Sequence, residues 1–265
     1  MVDINENLKI AIVSSIKAGK EILKVYNSDD IELKSKSDNS PLTKADINSN
    51  NKIIEILSKT KIPILSEEGH TIDYEIRKKW DRLWIIDPLD GTKEFVKRNG
   101  EFTVNIALIE KQKPILGVIF VPVSGDLYFS AKDIGSFKIK INIEKFNINV
   151  IISKAIKLPF TRKNKAFTIV ASRSHMSSET EAFVQQMRKK YGEVELISKG
   201  SSLKLCMVAE GSADSYPRFA PTMEWDTAAG QAICEHAGFN VIDWQTKKPM
   251  LYNREELLNN WFLVK

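Results

Sequence analysis

The chain has 265 residues, 43% hydrophobic and 28% charged, with a net charge of +5. That is enough to bury one large core or two ordinary ones, in the balance typical of a folded globular protein. No apolar run approaches the ~18 residues that span a bilayer, so stable membrane insertion is excluded, and three His with two Cys give no His/Cys cluster for zinc.

The opening Met1-Val-Asp-Ile-Asn-Glu6 shows no basic stretch leading into an apolar one, so the expectation is a cytoplasmic protein with Cys206 and Cys234 as buried free thiols. The positive charge is local. Residues 132–165 carry nine Lys or Arg against Asp133 and Glu144, a surplus of seven, and the rest of the chain nets minus two. This segment reads as the wet face of a strand, since Lys138-Ile-Lys-Ile-Asn-Ile143 alternates. It reads also as a steering surface for a small anion or as a nucleic-acid site, but no aromatic residues interleave the basic ones as the last would favour. Contact with the inner-membrane surface stays open for it.

Leu8, Ala11, Ile12, Ile16, Gly19, Leu23 and Tyr26 recur at helical spacing and predict an amphipathic first helix. Asp38-Asn-Ser-Pro41 marks a loop, and Thr43 with Asp46 resembles a capping box that opens a second helix to about residue 58. A short strand at 62–65 and a helix over 73–81 precede a buried strand, Leu83-Trp-Ile-Ile86. That strand should stop at Pro88, which lacks a ladder donor, and at Gly91, which permits a sharp reversal. Strands at 102–109, 115–121 and 127–129, divided by turn residues, predict an antiparallel meander continuing to about 152. Beyond the basic segment come a strand (167–171), a helix (178–191), a strand (194–197) and a helix (201–210). An extended Tyr216-Pro-Arg-Phe219, a long helix to about His236 and a strand at 239–243 follow. The composition shift near 132–165 divides the chain into an N-terminal α+β part, 1–150, and a C-terminal α/β part, 151–265. His70 and His236 have no partners at metal spacing and read as surface residues, and the five Trp read as core.

The chemistry concentrates in acids at the edges of these elements: Asp46, Glu67-Glu68, Asp87 with Asp90, and Asp226. Singly, each has a plain alternative as a helix-start charge or a solvated loop residue. Asp87 and Asp90 are harder to set aside. They bracket Pro-Leu at the end of a buried strand, and two clustered anions repel unless a cation lies between them. Hard oxygen ligands converging from several segments suit Mg²⁺.

Leu83-Trp-Ile-Ile-Asp-Pro-Leu-Asp-Gly-Thr92 resembles the signature of the inositol monophosphatase superfamily. Its continuation, Lys93-Glu-Phe-Val-Lys-Arg-Asn-Gly-Glu-Phe-Thr-Val-Asn-Ile106, is similar to the bacterial CysQ-type branch of 3'(2'),5'-bisphosphate nucleotidases. Leu65-Ser-Glu-Glu68, Gly200-Ser-Ser-Leu-Lys204, Tyr216-Pro-Arg218 and Trp225-Asp-Thr-Ala-Ala-Gly230 agree in type and order, and the resemblance covers nearly the whole chain apart from about 132–165.

The resemblance implies the layered α-β-α-β-α sandwich of the inositol monophosphatase and fructose-1,6-bisphosphatase type, with the site between its two halves. It implies two or three Mg²⁺ ions held by Glu67, Asp87, the carbonyl of Leu89, Asp90 and Asp226. Thr92 and Asp46 would position and deprotonate the attacking water. The substrate would meet Glu67, Leu89, Asp90, Gly91, Thr92 and Asp226, with His175, Ser201, Lys204 and Arg218 on its nucleotide side. Plain alternatives stay open for those four: a loop His, a helix cap at Ser201, a solvated Lys204 and a structural Arg218. The implied activity is hydrolysis of the 3'-phosphate of adenosine 3',5'-bisphosphate, and of its sulfated analogue 3'-phosphoadenylyl sulfate, with lithium inhibition and a link to sulfur assimilation. The runner-up is the same chemistry on inositol monophosphate or a sugar phosphate. More remote is a non-catalytic binder of nucleotide or nucleic acid. The small-molecule reading expects no nucleic-acid partner.

Overall fold

The computed structural model describes residues 4–28, 33–35, 41–161, 166–172 and 177–265. Helix α1 spans Ile4–Tyr26, and a short pair, β1 (Lys34–Ser35) with β2 (Pro41–Leu42), leads into α2 (Lys44–Leu57). Thr43 caps α2: its hydroxyl oxygen accepts from Ala45 N at 3.2 Å, and Asp46 accepts back from Thr43 N at 2.7 Å. This reciprocal cap satisfies donors that a helix start otherwise leaves unpaired.

A seven-stranded sheet follows: β3 (Ile64–Ser66), β4 (Arg82–Asp90), β5 (Thr103–Glu110), β6 (Lys113–Val121), β7 (Asp126–Ala131), β8 (Gly135–Lys140) and β9 (Ile156–Lys157), in that spatial order. Only the β3–β4 pair is parallel, so β4 to β8 form the expected meander. Short helices α3 (Tyr74–Arg77) and α4 (Thr92–Val96) flank β4, and α5 (Ile148–Lys154) precedes β9. The helix expected over 73–81 is thus a single turn, and α5 interrupts what the alternation suggested was continuous strand.

The second half brings β10 (Phe167–Ser172), α6 (Ser178–Tyr191) and β11 (Val194–Lys199), with β10 and β11 parallel. Then come α7 (Leu203–Ala209), β12 (Tyr216–Arg218), α8 (Glu224–His236), β13 (Val241–Asp243) and β14 (Phe262–Val264). The last three strands pair antiparallel in the order β12-β14-β13, and an Ile169–Ser215 bridge ties them to β10.

Strand β4 shows how the layers form. Trp84 and Ile86 face the core made with α1 and α2, while Leu83 and Ile85 face the core made with α7 and α8. A strand covered on both faces needs an unbroken apolar run, which is what the sequence carries. Gly117 on β6 lets α8 come close, since a Cβ there would lie 2.3 Å from the Ala229 carbonyl oxygen. A third cluster, with Ile169, Phe183, Val184 and Leu263, packs α6 on the second set of strands. The layers therefore run α1/α2, large sheet, α7/α8, second strands, α6, which is the α-β-α-β-α sandwich. Among the described residues no helix is long and apolar enough to cross a membrane.

Three expectations change. Trp244 and Trp261 are 37% and 40% exposed and are not core, because they sit on the outer side of the last strands beside Phe219. His236 is half-buried, with Nδ1 3.1 Å from the Ser130 hydroxyl, and burial lowers its pKa. In the basic segment, Ile139, Ile141, Ile143 and Phe146 pack on the first core, and of the alternating lysines Lys140 is exposed while Lys138 is half-buried and pairs with Glu210 at 2.7 Å. Cys206 and Cys234 are buried free thiols.

Candidate active site

Strand β4 does not stop at Pro88. Asp87 pairs with Asn105 and Asp90 with Thr103, so three steps on β4 oppose two on β5 and the strand continues through a bulge. A bulge inserts one residue and re-aims the side chains around it. Pro88 brings no N–H to the ladder, and its carbonyl accepts from the Ser49 hydroxyl on α2 at 2.7 Å. The chain turns only at Gly91, whose φ of +96° places it in the left-handed region; a Cβ there would also lie 2.2 Å from Ser201 Oγ. Asp87, Asp90 and Thr92 are thereby presented from one short turn.

Thr92 Oγ1 lies 3.2 Å from Asp46 Oδ1 and 3.4 Å from the Leu89 carbonyl oxygen. The other oxygen of Asp46 is held by Thr43, from N at 2.7 Å and Oγ1 at 2.6 Å. The cap of α2 thus also orients the Thr92–Asp46 pair expected for water activation.

Four acids gather from three places in the fold: Glu67 after β3, Asp87 and Asp90 on β4, and Asp226 in the first turn of α8. Among the described residues no three His, Cys, Asp or Glu side chains stand pre-gathered as a metal cage. Repelling carboxylates do not close on one point by themselves, and here three of the four have turned an oxygen to a local donor. Asp87 Oδ1 accepts from Leu89 N at 3.0 Å, Asp226 Oδ2 from Met223 N at 2.8 Å and Asp90 Oδ2 from Ser202 N at 2.6 Å. Their mutual field is still strong. Burial first, then Glu67, Asp90 and Asp226, push Asp87 well above the usual carboxylate range, and Asp87 shares a hydrogen bond with Glu67. Burial, then Asp90, push Asp226 up to about 8. A set of oxygen donors whose negative charge the protein leaves uncompensated fits a hard divalent cation, and Mg²⁺ in particular.

Beside the acids opens a cleft of about 720 Å³, counting its mouth, whose walls include Asp90, Gly91, Ser201, Lys204, Arg218 and Asp226. Asp46, Glu67, Asp87, Leu89 and Thr92 are not among the residues that line it. Lys204 is buried, not a solvated helix residue. Its Nζ donates to the carbonyl oxygens of Ser201 (2.7 Å) and Lys199 (3.3 Å), and burial lowers its pKa to about 8. Arg218 donates from Nη2 to the Pro221 carbonyl at 2.9 Å, while its Nε is buried without a hydrogen-bond partner. Ser201 does not cap α7. Its φ is 48°, and its hydroxyl faces the carbonyl oxygens of Asp90 (2.8 Å) and Glu101 (2.7 Å). His175 lies outside the described residues.

Four contributors went unassigned in the sequence reading. Glu101 binds Gly200 N at 2.9 Å and Lys199 Nζ at 3.1 Å, fixing the turn before α7. Lys93 and Glu94 line the cleft. Asn105 is buried in the middle of β5, and a polar residue in a buried strand was the available signal.

This geometry can be set beside known proteins. Residues 3–263 match the inositol monophosphatase family. The chain belongs to that family. Its members are metal-dependent phosphatases, generally using Mg²⁺. The 3'(2'),5'-bisphosphate nucleotidase CysQ of Escherichia coli K12 is 46% identical over 251 residues, covering 93% of this chain and 94% of that protein. The CysQ of Haemophilus influenzae is 32% identical and covers 100% and 94%. Among solved structures, CysQ from Bacteroides thetaiotaomicron superposes with a TM-score of 0.89 at 50% identity, covering 98% of this chain and 97% of that one. The fold also extends to the Thermotoga maritima IMPase, with a TM-score of 0.75 at 22% identity over 98% and 92% of the two chains.

Proposed function

We propose that this protein is a Mg²⁺-dependent 3'(2'),5'-bisphosphate nucleotidase that hydrolyses adenosine 3',5'-bisphosphate to AMP and phosphate, and acts also on 3'-phosphoadenylyl sulfate. The observation that carries the reading is the Thr92–Asp46 hydrogen bond beside four mutually repelling carboxylates, next to a cleft lined by Asp90, Asp226 and Arg218. The relatives named CysQ, 46–50% identical over nearly all of both chains, support the substrate class.

Glu67, Asp87, Asp90, Asp226 and the Leu89 carbonyl would hold two or three Mg²⁺ ions. When bound, these neutralise the substrate's phosphate dianion, acidify water and stabilise the leaving alkoxide. Thr92 does the local work. Its hydroxyl donates to Asp46 and keeps lone pairs to accept from the attacking water, so a proton leaving the water has a path toward a carboxylate. Thr43 holds Asp46 in place for this. Water attacks the phosphorus opposite the 3'-oxygen, the P–O3' bond breaks, and the departing oxygen takes up a proton. Gly91 lets the backbone approach the phosphate. On the nucleotide side Arg218 has donors to spare for the 5'-phosphate, while His175, Ser201 and Lys204 shape the rest of that subsite. Residues 1–150 thus supply the catalytic pair and most acids, and residues 151–265 supply the nucleotide side and Asp226. The reading is cytoplasmic, with the basic 132–165 segment available for peripheral contact with the inner membrane.

The test is phosphate release from adenosine 3',5'-bisphosphate and inositol 1-phosphate side by side, in Mg²⁺, with and without Li⁺. Lithium-sensitive preference for the nucleotide is expected. Preference for inositol phosphate would keep the acids' role and discard the nucleotide subsite, and activity on neither would overturn the enzyme.

A further inference from the structure

One serine joins the two halves of the site. Ser202 sits just before α7 and is buried, with two short hydrogen bonds to the same carboxylate oxygen: its N and its Oγ each lie 2.6 Å from Asp90 Oδ2. The hydroxyl oxygen also lies 3.1 Å from the Asp226 carbonyl oxygen. A hydroxyl has a single hydrogen, and the shorter, charged acceptor takes it. Behind it stand two buried residues of β5. Asn105 Nδ2 donates to Ser202 Oγ at 2.7 Å, and Asn105 Oδ1 accepts from Thr103 Oγ1 at 2.9 Å. Thr103 and Asn105 are the strand partners of Asp90 and Asp87. The chain Thr103→Asn105→Ser202→Asp90 therefore runs donor to acceptor without a break, from the strand that pairs with the acids to the helix of the other half.

We propose that Ser202 is a positioning residue that dedicates Asp90 Oδ2 to the protein, so that Oδ1 alone is presented to a cation. The idea rests on the proposed metal site, and it adds the group that selects which oxygen binds. Two short bonds from one residue, backbone and side chain together, fix both the rotation and the reach of the carboxylate. The polarised relay behind them strengthens that hold. Groups that orient metal ligands in this way typically change metal affinity about 10–100-fold when removed.

The experiment titrates Mg²⁺ into the full chain after chelator treatment, by calorimetry, with steady-state kinetics in parallel. Ser202→Ala is expected to weaken Mg²⁺ binding about 10–100-fold. Activity should recover as Mg²⁺ is raised, and KM for adenosine 3',5'-bisphosphate at saturating Mg²⁺ should stay near the wild-type value. Ser202→Thr, which keeps the hydroxyl, is expected to restore most of the affinity. Should Ser202→Ala fail to fold, Thr103→Val reads the far end of the same relay, with a smaller loss of affinity expected. Mg²⁺ affinity unchanged in an otherwise folded Ser202→Ala or Thr103→Val, with wild type binding and turning over normally, would overturn the positioning role and leave the proposed function standing. Wild type that binds no Mg²⁺ would overturn both.

Discussion

The two walls of the site treat charge in opposite ways. On the acidic wall, buried Asp87 and half-buried Asp226 lie close to other carboxylates, and burial and repulsion push both upward. On the basic wall, Lys204 is buried too, but its ammonium is met by the carbonyls of Ser201 and Lys199. One wall keeps an unmet charge and so demands a ligand, whereas the other has spent most of its charge on its own backbone. Arg218, with an unpartnered Nε, is the exception on the basic side. The strongest recognition should therefore come from the acids through bound cations, with Arg218 second and Lys204 a distant third.

Removing an acid is the largest test. Asp90→Asn should lower turnover by about 10³–10⁴-fold, the scale of several kcal/mol of lost charge stabilisation. Asp87→Asn should do the same while raising the melting temperature of the metal-free protein, because it relieves repulsion around Asp87. Thermal melts in chelator together with phosphate-release rates check both halves. A metal-free variant less stable than wild type would mean that the acids are held by protein contacts rather than by a cation.

Thr92→Ala comes next, with an expected loss of about 10²–10³-fold in kcat at unchanged Mg²⁺ affinity, the usual scale for a lost proton-transfer group. Full activity would remove Thr92 from the water-activating pair.

The two walls were not equally legible in the sequence. Asp87, Asp90 and the buried strand before them stood out because carboxylates rarely follow an unbroken apolar run without reason, and the Thr43–Asp46 cap was readable from spacing alone. The bulge was not, since nothing local says that β5 skips a residue opposite Pro88-Leu89. The basic wall stayed open for a similar reason. Whether Lys204 is solvated depends on the turn at residues 199–202, which Glu101 fixes from about a hundred residues away. Short late strands such as β14 gave too little pattern to be seen, and α5 was hidden in a run of Ile and Asn that suits either period.

Arg218→Ala should raise KM for adenosine 3',5'-bisphosphate about 10–100-fold, the worth of a lost charge-assisted hydrogen-bond pair, with little effect on hydrolysis of a simple monophosphate. Equal losses on both substrates would place Arg218 in the structure rather than in recognition.

The opposite charge economies also give opposite pH slopes. A carboxyl whose folded pKa is raised holds a proton that the unfolded chain has already lost, so stability falls as pH rises between the two values. For Asp226 that window runs from about pH 4 to about pH 8. Melts of the metal-free protein should therefore drop across it, and Mg²⁺ should restore more stability at pH 8 than at pH 5. A Mg²⁺ effect independent of pH would separate the acids from cation binding.

Lys204 is the smallest and most discriminating case. Its folded pKa of about 8 lies below the unfolded value, so between about pH 8 and pH 10.4 the unfolded chain binds more protons and stability should rise with pH. Lys204→Met keeps most of the bulk and removes the titration, and the rise should disappear in that variant. The same substitution leaves the Ser201 and Lys199 carbonyls without their donor, so the turn before α7 should loosen. KM for the bisphosphate nucleotide should then shift only a few-fold, well short of the Arg218→Ala effect. A KM loss as large as that of Arg218→Ala, with the alkaline stability rise intact in wild type, would show that the ammonium leaves its carbonyls for the substrate, and the two walls would then differ in sign alone.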